Sequence, residues 1–148
     1  MNGELQDLYQ EVILDHNRQP RNFRMVEGGR KAEGYNPLCG DRFTVYLRVE
    51  SGRIADVGFQ GSGCAISKAS ASLMTESVRG KSVDDVNALV DRFQQMITAP
   101  PESPVTPLGK LTALAGVRQF PIRVKCASLA WHALQAAIEA RDEAVSTE

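Results

Sequence analysis

One block of strict two-residue alternation, set between segments of helical period, limits this chain more than any other feature. In RFTVYLRVE the residues Phe43, Val45, Leu47 and Val49 alternate with polar partners, which is the period of a strand with one buried face. Ser51-Gly52-Arg53 reads as a turn, and beyond it Ala55, Val57 and Phe59 alternate again, so the spacing predicts an antiparallel hairpin. Everything around that hairpin is helical or irregular. Leu5, Leu8, Tyr9, Val12 and Ile13 follow the spacing of one helix face, and Pro20 stops that helix. Residues 18 to 40 carry Pro20, Gly28-Gly29, Gly34, Pro37 and Gly40 and read as irregular backbone leading into the sheet.

Past the hairpin, Gly61-Ser62-Gly63 closes the second strand. CAISKASASLMTESVRG then runs as a helix with Cys64 at its N-terminus and Gly80 as its C-cap. Ser82 with Asp85 forms a capping-box signature for a helix through Val86, Leu89, Val90 and Phe93. Pro100, Pro101, Pro104 and Pro107 exclude regular structure, and a short helical piece runs from Leu108 to Phe120. After Pro121 the face Leu129, Ala130, Ala133, Leu134, Ala137 and Ile138 predicts a long final helix. Strands segregated from helices argue for an α+β fold, a small antiparallel sheet packed on a layer of helices, rather than a doubly wound sheet. At 148 residues the chain is expected to form a single domain over 1–148.

Composition narrows the function classes. Apolar residues at 43% and charged residues at 24% exclude disorder, and a net charge of -1 with scattered Lys and Arg argues against a nucleic-acid partner. There is no apolar run of the roughly twenty residues a membrane span needs and no leader pattern, so no membrane association and a cytoplasmic location are expected. Three cysteines cannot form a complete disulfide set, and a reducing compartment leaves all three as free thiols.

Cys39 and Asp41 flank Gly40 at a predicted loop tip, Cys64 starts a helix, and Cys126 lies near the start of the last one. Each sits at an element end, where a sheet packed on helices brings loops together. Three thiolates and a carboxylate would complete a tetrahedral zinc shell, and so thiol-rich a set favours zinc or an iron–sulfur cluster over magnesium or calcium. Taken singly, each cysteine is more often a small buried hydrophobe than a ligand, and Asp41 is an ordinary turn residue. The spacings match no short zinc-finger pattern, so position along the chain leaves the metal site open. His16 falls on the polar edge of the first helix near its C-terminus, where a solvated capping role is expected. His132 reads as a surface or packing residue.

Four motifs nevertheless occur in a recognisable order: LYQEVILDHNRQPRNF at 8–23, NPLCGD at 36–41, GSGCAISKASASLM at 61–74 and RVKCASLAWHAL at 123–134. Together they resemble the SufU family of zinc-dependent sulfurtransferases, within the NifU/IscU-like iron–sulfur cluster assembly proteins, and they span nearly the whole chain. The resemblance implies a SufE/IscU-like fold and one zinc ion (Zn²⁺) held by Cys39, Asp41, Cys64 and Cys126. It further implies a SufS-type cysteine desulfurase as sulfur donor, Cys39 as the catalytic persulfide acceptor, and downstream Suf assembly components as recipients. The anionic shell would call for nearby cations, and Lys125, Arg42, Arg123 and Lys68 are candidates.

Two further readings stay open. One is a scaffold that builds an iron–sulfur cluster on the same ligands, as IscU-type proteins do. Such scaffolds carry histidine before the last cysteine, where this chain has Lys125, and Leu-Pro-Pro-Val-Lys where it has Gln119-Phe120-Pro121-Ile122-Arg123. The proline-rich stretch at about 97–117 resembles the insertion that separates SufU from IscU. The other is a binding module with purely structural zinc, since closed four-ligand shells are usually structural.

Overall fold

A computed structural model describes residues 3–139 and 145–146, with the side chains of residues 3–6, Leu8 and 145–146 left out. Leu5 and Leu8 of the predicted first helix face therefore lie outside the described side chains, while that helix itself forms as α1, Gly3–Arg18, with Ile13 in the core. The predicted hairpin is present as β2 (Asp41–Glu50) and β3 (Arg53–Ser62). Its loop is the pair Ser51-Gly52, with φ of 52° and 74°, the left-handed geometry whose twist matches two right-twisted strands. A bulge between Arg48 and Val49 shifts the phase of β3, so Ile54 faces the core where the alternation pointed to Ala55.

The irregular segment expected before the hairpin contains a further strand, β1 (Arg30–Asn36), antiparallel to β2 with Asn36 opposite Asp41. Its core-facing positions are Ala32, Gly34 and Asn36, too small or polar to announce a strand. The reason is the crossing of α4 (Pro121–Ile138), since a Cβ on Gly34 would stand 2.9 Å from Leu129 Cδ1. A two-residue β4 (Val145–Ser146) adds to β1 in parallel and gives the order β3-β2-β1-β4.

The helical layer comprises α2 (Ala65–Val78), α3 (Val83–Thr98), a 3₁₀ segment (Leu111–Gln119) and α4, with the short helical piece expected before Pro121 realised as that 3₁₀ segment. Ser82 caps α3 by accepting from Asp85 N at 3.1 Å, and Gly80, at φ +82°, follows the C-cap Arg79 of α2. Small residues let α2 lie close to α4, joined by Ser70 Oγ donating to Ala127 O at 2.6 Å. Behind α4, Phe93 and Trp131 stack with centroids 4.2 Å apart, and Trp131 Nε1 donates to Ser70 Oγ. The proline-rich stretch is held by buried Arg118, whose Nε donates to Met96 O at the end of α3 and whose guanidinium reaches the carbonyls of Ser103 and Pro104. Among the described residues no helix is long and apolar enough to cross a membrane.

His16 departs from its expected place. It is 2% exposed rather than solvated, because the polar edge of α1 packs on α2: its Nδ1 lies 2.7 Å from Ser72 Oγ and its Nε2 3.6 Å from Glu76 Oε1. Burial, then the charge of Arg21, holds its pKa below the ordinary imidazole value.

Candidate metal centre

Strand phase explains the first half of the site. Asp41 opens β2 on the same face as Phe43, Val45 and Leu47, so its carboxylate enters the core end and is fully buried. Asn36 faces it from β1, and the intervening Pro37-Leu38-Cys39-Gly40 loop, with Gly40 at φ +72°, leaves Cys39 exposed at the tip. The second half comes from two helices. Cys64 is the N-cap of α2, its sulfur accepting from Ser67 N at 3.5 Å, and Cys126, 1% exposed, lies in the second turn of α4.

These elements converge. Cys39, Asp41 and Cys126 each offer a donor atom within 4.8 Å of one another, and the Cys39 and Cys126 sulfurs are 3.3 Å apart. Cys64 adjoins this triad, its sulfur 4.0 Å from Asp41 Oδ2. A tetrahedral zinc with Zn–S bonds of about 2.3 Å has ligand–ligand edges of about 3.8 Å, so Cys39, Asp41 and Cys126 fit such an ion with small adjustments, whereas Cys64 lies beside the group of mutually close donors and would have to close on it to serve as the fourth ligand. A two-iron cluster divides its terminal ligands between two metals and spreads them further apart.

The thiols are unequal. Interaction with the neighbouring Cys126 thiol, and then with Ser67, lowers the Cys64 pKa to about 6 against its partial burial. The same interaction, with burial, pushes the Cys126 thiol up, so the two thiols titrate as a pair rather than independently. Tyr9 of α1 feels both sulfurs, and its pKa is raised first by burial. Cys39, Cys64 and Cys126 open into a cavity of about 500 Å³ whose other wall is Gln119, Phe120, Pro121, Ile122 and Arg123. Of the four candidate cations, Arg123 lines this cavity, whereas Arg42 lies over the Tyr35 ring and Lys68 over that of Phe23.

Two residues the sequence reading passed over also belong here. Ser67 Oγ donates to Asp41 Oδ2 at 2.6 Å, and Asn36 Nδ2 reaches both Asp41 Oδ2 at 3.5 Å and Cys126 Sγ at 3.6 Å. Both sit inside the quoted motifs, but their inward direction depends on strand phase and helix face.

A small α+β domain with a cysteine-rich donor cluster at one end of its sheet is the class of protein that fold and site define. Over residues 8–127 the chain matches the NifU-like N terminal domain, and it belongs to that family of iron–sulfur cluster assembly proteins. It is 39% identical to the iron–sulfur cluster assembly scaffold protein IscU of Streptococcus pyogenes serotype M1, over 93% of this chain and 86% of that one. To the zinc-dependent sulfurtransferase SufU of Bacillus subtilis it is 37% identical, over 90% and 91%. Its fold matches the crystal structure of a putative scaffold protein for the SUF system from Fervidobacterium islandicum with a TM-score of 0.81 at 31% identity, covering 90% of this chain and 98% of that one.

Proposed function

We propose that this chain is a zinc-dependent sulfur-transfer protein that accepts persulfide sulfur from a SufS-type cysteine desulfurase at Cys39, for delivery to iron–sulfur cluster assembly. One observation carries the reading: a single exposed thiol on a glycine-hinged loop lies 3.3 Å from a buried thiol, at the mouth of a cavity that a donor can enter. Cys39, Asp41, Cys64 and Cys126 would hold the zinc, whose charge keeps their thiols ionised near neutral pH.

The chain's own part follows from geometry. Asp41 and Cys126 are buried and fixed by β2 and α4, while Cys39 rides on a loop whose Gly40 tolerates left-handed backbone. The Cys39 thiolate attacks the terminal sulfur of the donor persulfide. A new S–S bond forms on Cys39, the donor's S–S bond breaks, and its electron pair leaves on the donor cysteine as thiolate. No net oxidation occurs. Apolar Phe120 and Ile122, 51% and 60% exposed beside the cavity, give a docking partner a surface from which to exclude water.

Incubation with desulfurase and cysteine, followed by peptide mass mapping, tests this. The mass of one added sulfur is expected on the peptide containing Cys39, and finding it only on Cys64 or Cys126 overturns the assignment. The identity with the streptococcal protein named a scaffold supports a second reading, assembly of a cluster on the same four residues. That reading expects a stable visible-absorbing cluster after reconstitution with iron and sulfide, and no acceleration of the desulfurase.

A further inference from the structure

The four donors differ in what lies behind them. Asp41 Oδ1 accepts from Cys64 N at 2.8 Å, and its Oδ2 accepts from Ser67 Oγ and Asn36 Nδ2. The single Ser67 hydroxyl hydrogen is committed to the carboxylate at 2.6 Å, leaving Cys126 O at 3.2 Å as a poorer alternative. Leu38 N donates to Asn36 Oδ1 at 3.2 Å, which fixes the orientation of the Asn36 amide and turns its two N–H bonds toward Asp41 and Cys126. Cys64 Sγ is served by Ser67 N at the start of α2. Among the described residues, the hydrogen bond that reaches Cys39 Sγ comes from the Cys126 thiol, which disappears once Cys126 is ionised.

The geometry points to Asn36 and Ser67 as positioning residues that make Cys39 the exchangeable and reactive ligand of the centre. This rests on the zinc reading above. A donated hydrogen bond stabilises an anionic ligand where it stands, fixes its direction and ties up electron density that would otherwise attack an electrophile. Asn36, fully buried, supplies such bonds to Asp41 and the Cys126 sulfur, Ser67, 1% exposed, supplies them to Asp41 from its hydroxyl and to the Cys64 sulfur from its backbone N–H, and neither reaches Cys39 Sγ. The thiolate without that support is the most basic and most nucleophilic of the three, and it is the one on the movable loop. The two polar side chains thus decide which sulfur reacts without touching the reacting atoms.

Zinc-loaded wild type, Asn36→Ala and Ser67→Ala, matched for metal content and melting temperature measured in parallel, are treated with limiting iodoacetamide and mapped by cysteine. Release of zinc to a chromophoric chelator is followed alongside. In the wild type, alkylation is expected at Cys39 well ahead of Cys126. In each variant zinc release is expected to quicken by about 10- to 100-fold and the Cys39 preference to fall several-fold, the usual scale for removing a hydrogen bond behind a metal ligand. The metal-free proteins supply the control for exposure alone: their cysteine preferences are expected to agree between wild type and variants. Unchanged zinc release and unchanged preference in both variants would overturn the inference. So would variants that differ from the wild type equally with and without metal, since that marks a fold effect. A wild type that binds no zinc instead removes the zinc reading itself, and metal analysis before alkylation separates the two failures.

Discussion

Gly63 lies so close to Asp41 that a Cβ on it would stand 2.5 Å from Asp41 Oδ1 and 3.0 Å from the Phe43 ring. Both neighbours are fully buried, so neither has room to retreat. Gly63→Ala is therefore expected to push the Asp41 carboxylate off the donor cluster. Zinc affinity should fall at least about tenfold, while helix and sheet content by circular dichroism stays near the wild type. A variant with wild-type zinc affinity would show that Asp41 is not a ligand.

Cys64→Ala and Cys126→Ala are expected to lose bound zinc and, with it, stabilisation linked to binding. At a free metal concentration of about 100 times Kd that linkage is worth about 2.7 kcal/mol, or about 5–10 °C in a domain of this size. Metal analysis and thermal melts with and without chelator check this. Unaltered zinc content and melting in both variants would mark the two cysteines as packing residues.

Cys39→Ala separates docking from transfer. The buried donors remain, so a complex with the desulfurase should still be seen by gel filtration or calorimetry, yet acceleration of desulfurase turnover should vanish. Persistence of acceleration in this variant would count against Cys39 as the acceptor.

The buried His16 gives the fold a dependence on acid. Ser72 Oγ accepts from Arg21 N at 2.8 Å, so its hydrogen is free for His16 Nδ1, which leaves the imidazole neutral with its proton on Nε2 toward Glu76. Its folded pKa lies below the unfolded value near 6.5, so the unfolded chain binds the extra proton first. Stability is then complete above the unfolded pKa and is lost as pH falls through it toward the folded value, with a slope of at most about 1.4 kcal/mol per pH unit. Urea melts of the metal-free protein between pH 7.5 and pH 5, a range of about the imidazole window, should show this slope in the wild type. It should be reduced in His16→Gln, even though that variant starts less stable.

Arg118→Met keeps most of the side-chain volume and removes the donors to Met96, Ser103 and Pro104. Leaving the buried Met96 carbonyl unpaired costs about 1–3 kcal/mol, and the half-buried Ser103 and exposed Pro104 carbonyls cost less because water can reach them. Faster amide exchange is expected over residues 99–108 and extending to the Phe120–Ile122 wall of the cavity, because Arg118 is two residues from Phe120. Exchange rates equal to the wild type would show that the prolines alone hold this stretch.

Elements whose partners lie close in sequence were legible from the chain, and those defined by distant packing were not. The β2–β3 hairpin, the Ser82 cap and the helix after Pro121 each carry a local signal. Strand β1 does not, because Gly34 is small for the sake of Leu129, ninety-five residues away. The apparent solvation of His16 failed for a similar reason, since Ser72 lies on another helix. The grouping of Cys39, Asp41, Cys64 and Cys126 came from the resemblance of four motifs, as spacing alone left it open. Asn36 carries no signal of its own in the sequence, because its direction into the site comes from its register opposite Asp41.

The donor cluster draws on three stretches of chain, at residues 39–41, at 64 and at 126, and the last is synthesised long after the others. No pair of neighbouring residues can assemble it in advance. The cluster therefore comes into being only when α4 has docked across the sheet, and on the zinc reading proposed above, retention of the ion would be a certificate of completed folding. A nascent or partly unfolded chain, lacking that docked helix, presents thiols without a cage and should neither retain zinc nor offer a sulfur donor a place to bind.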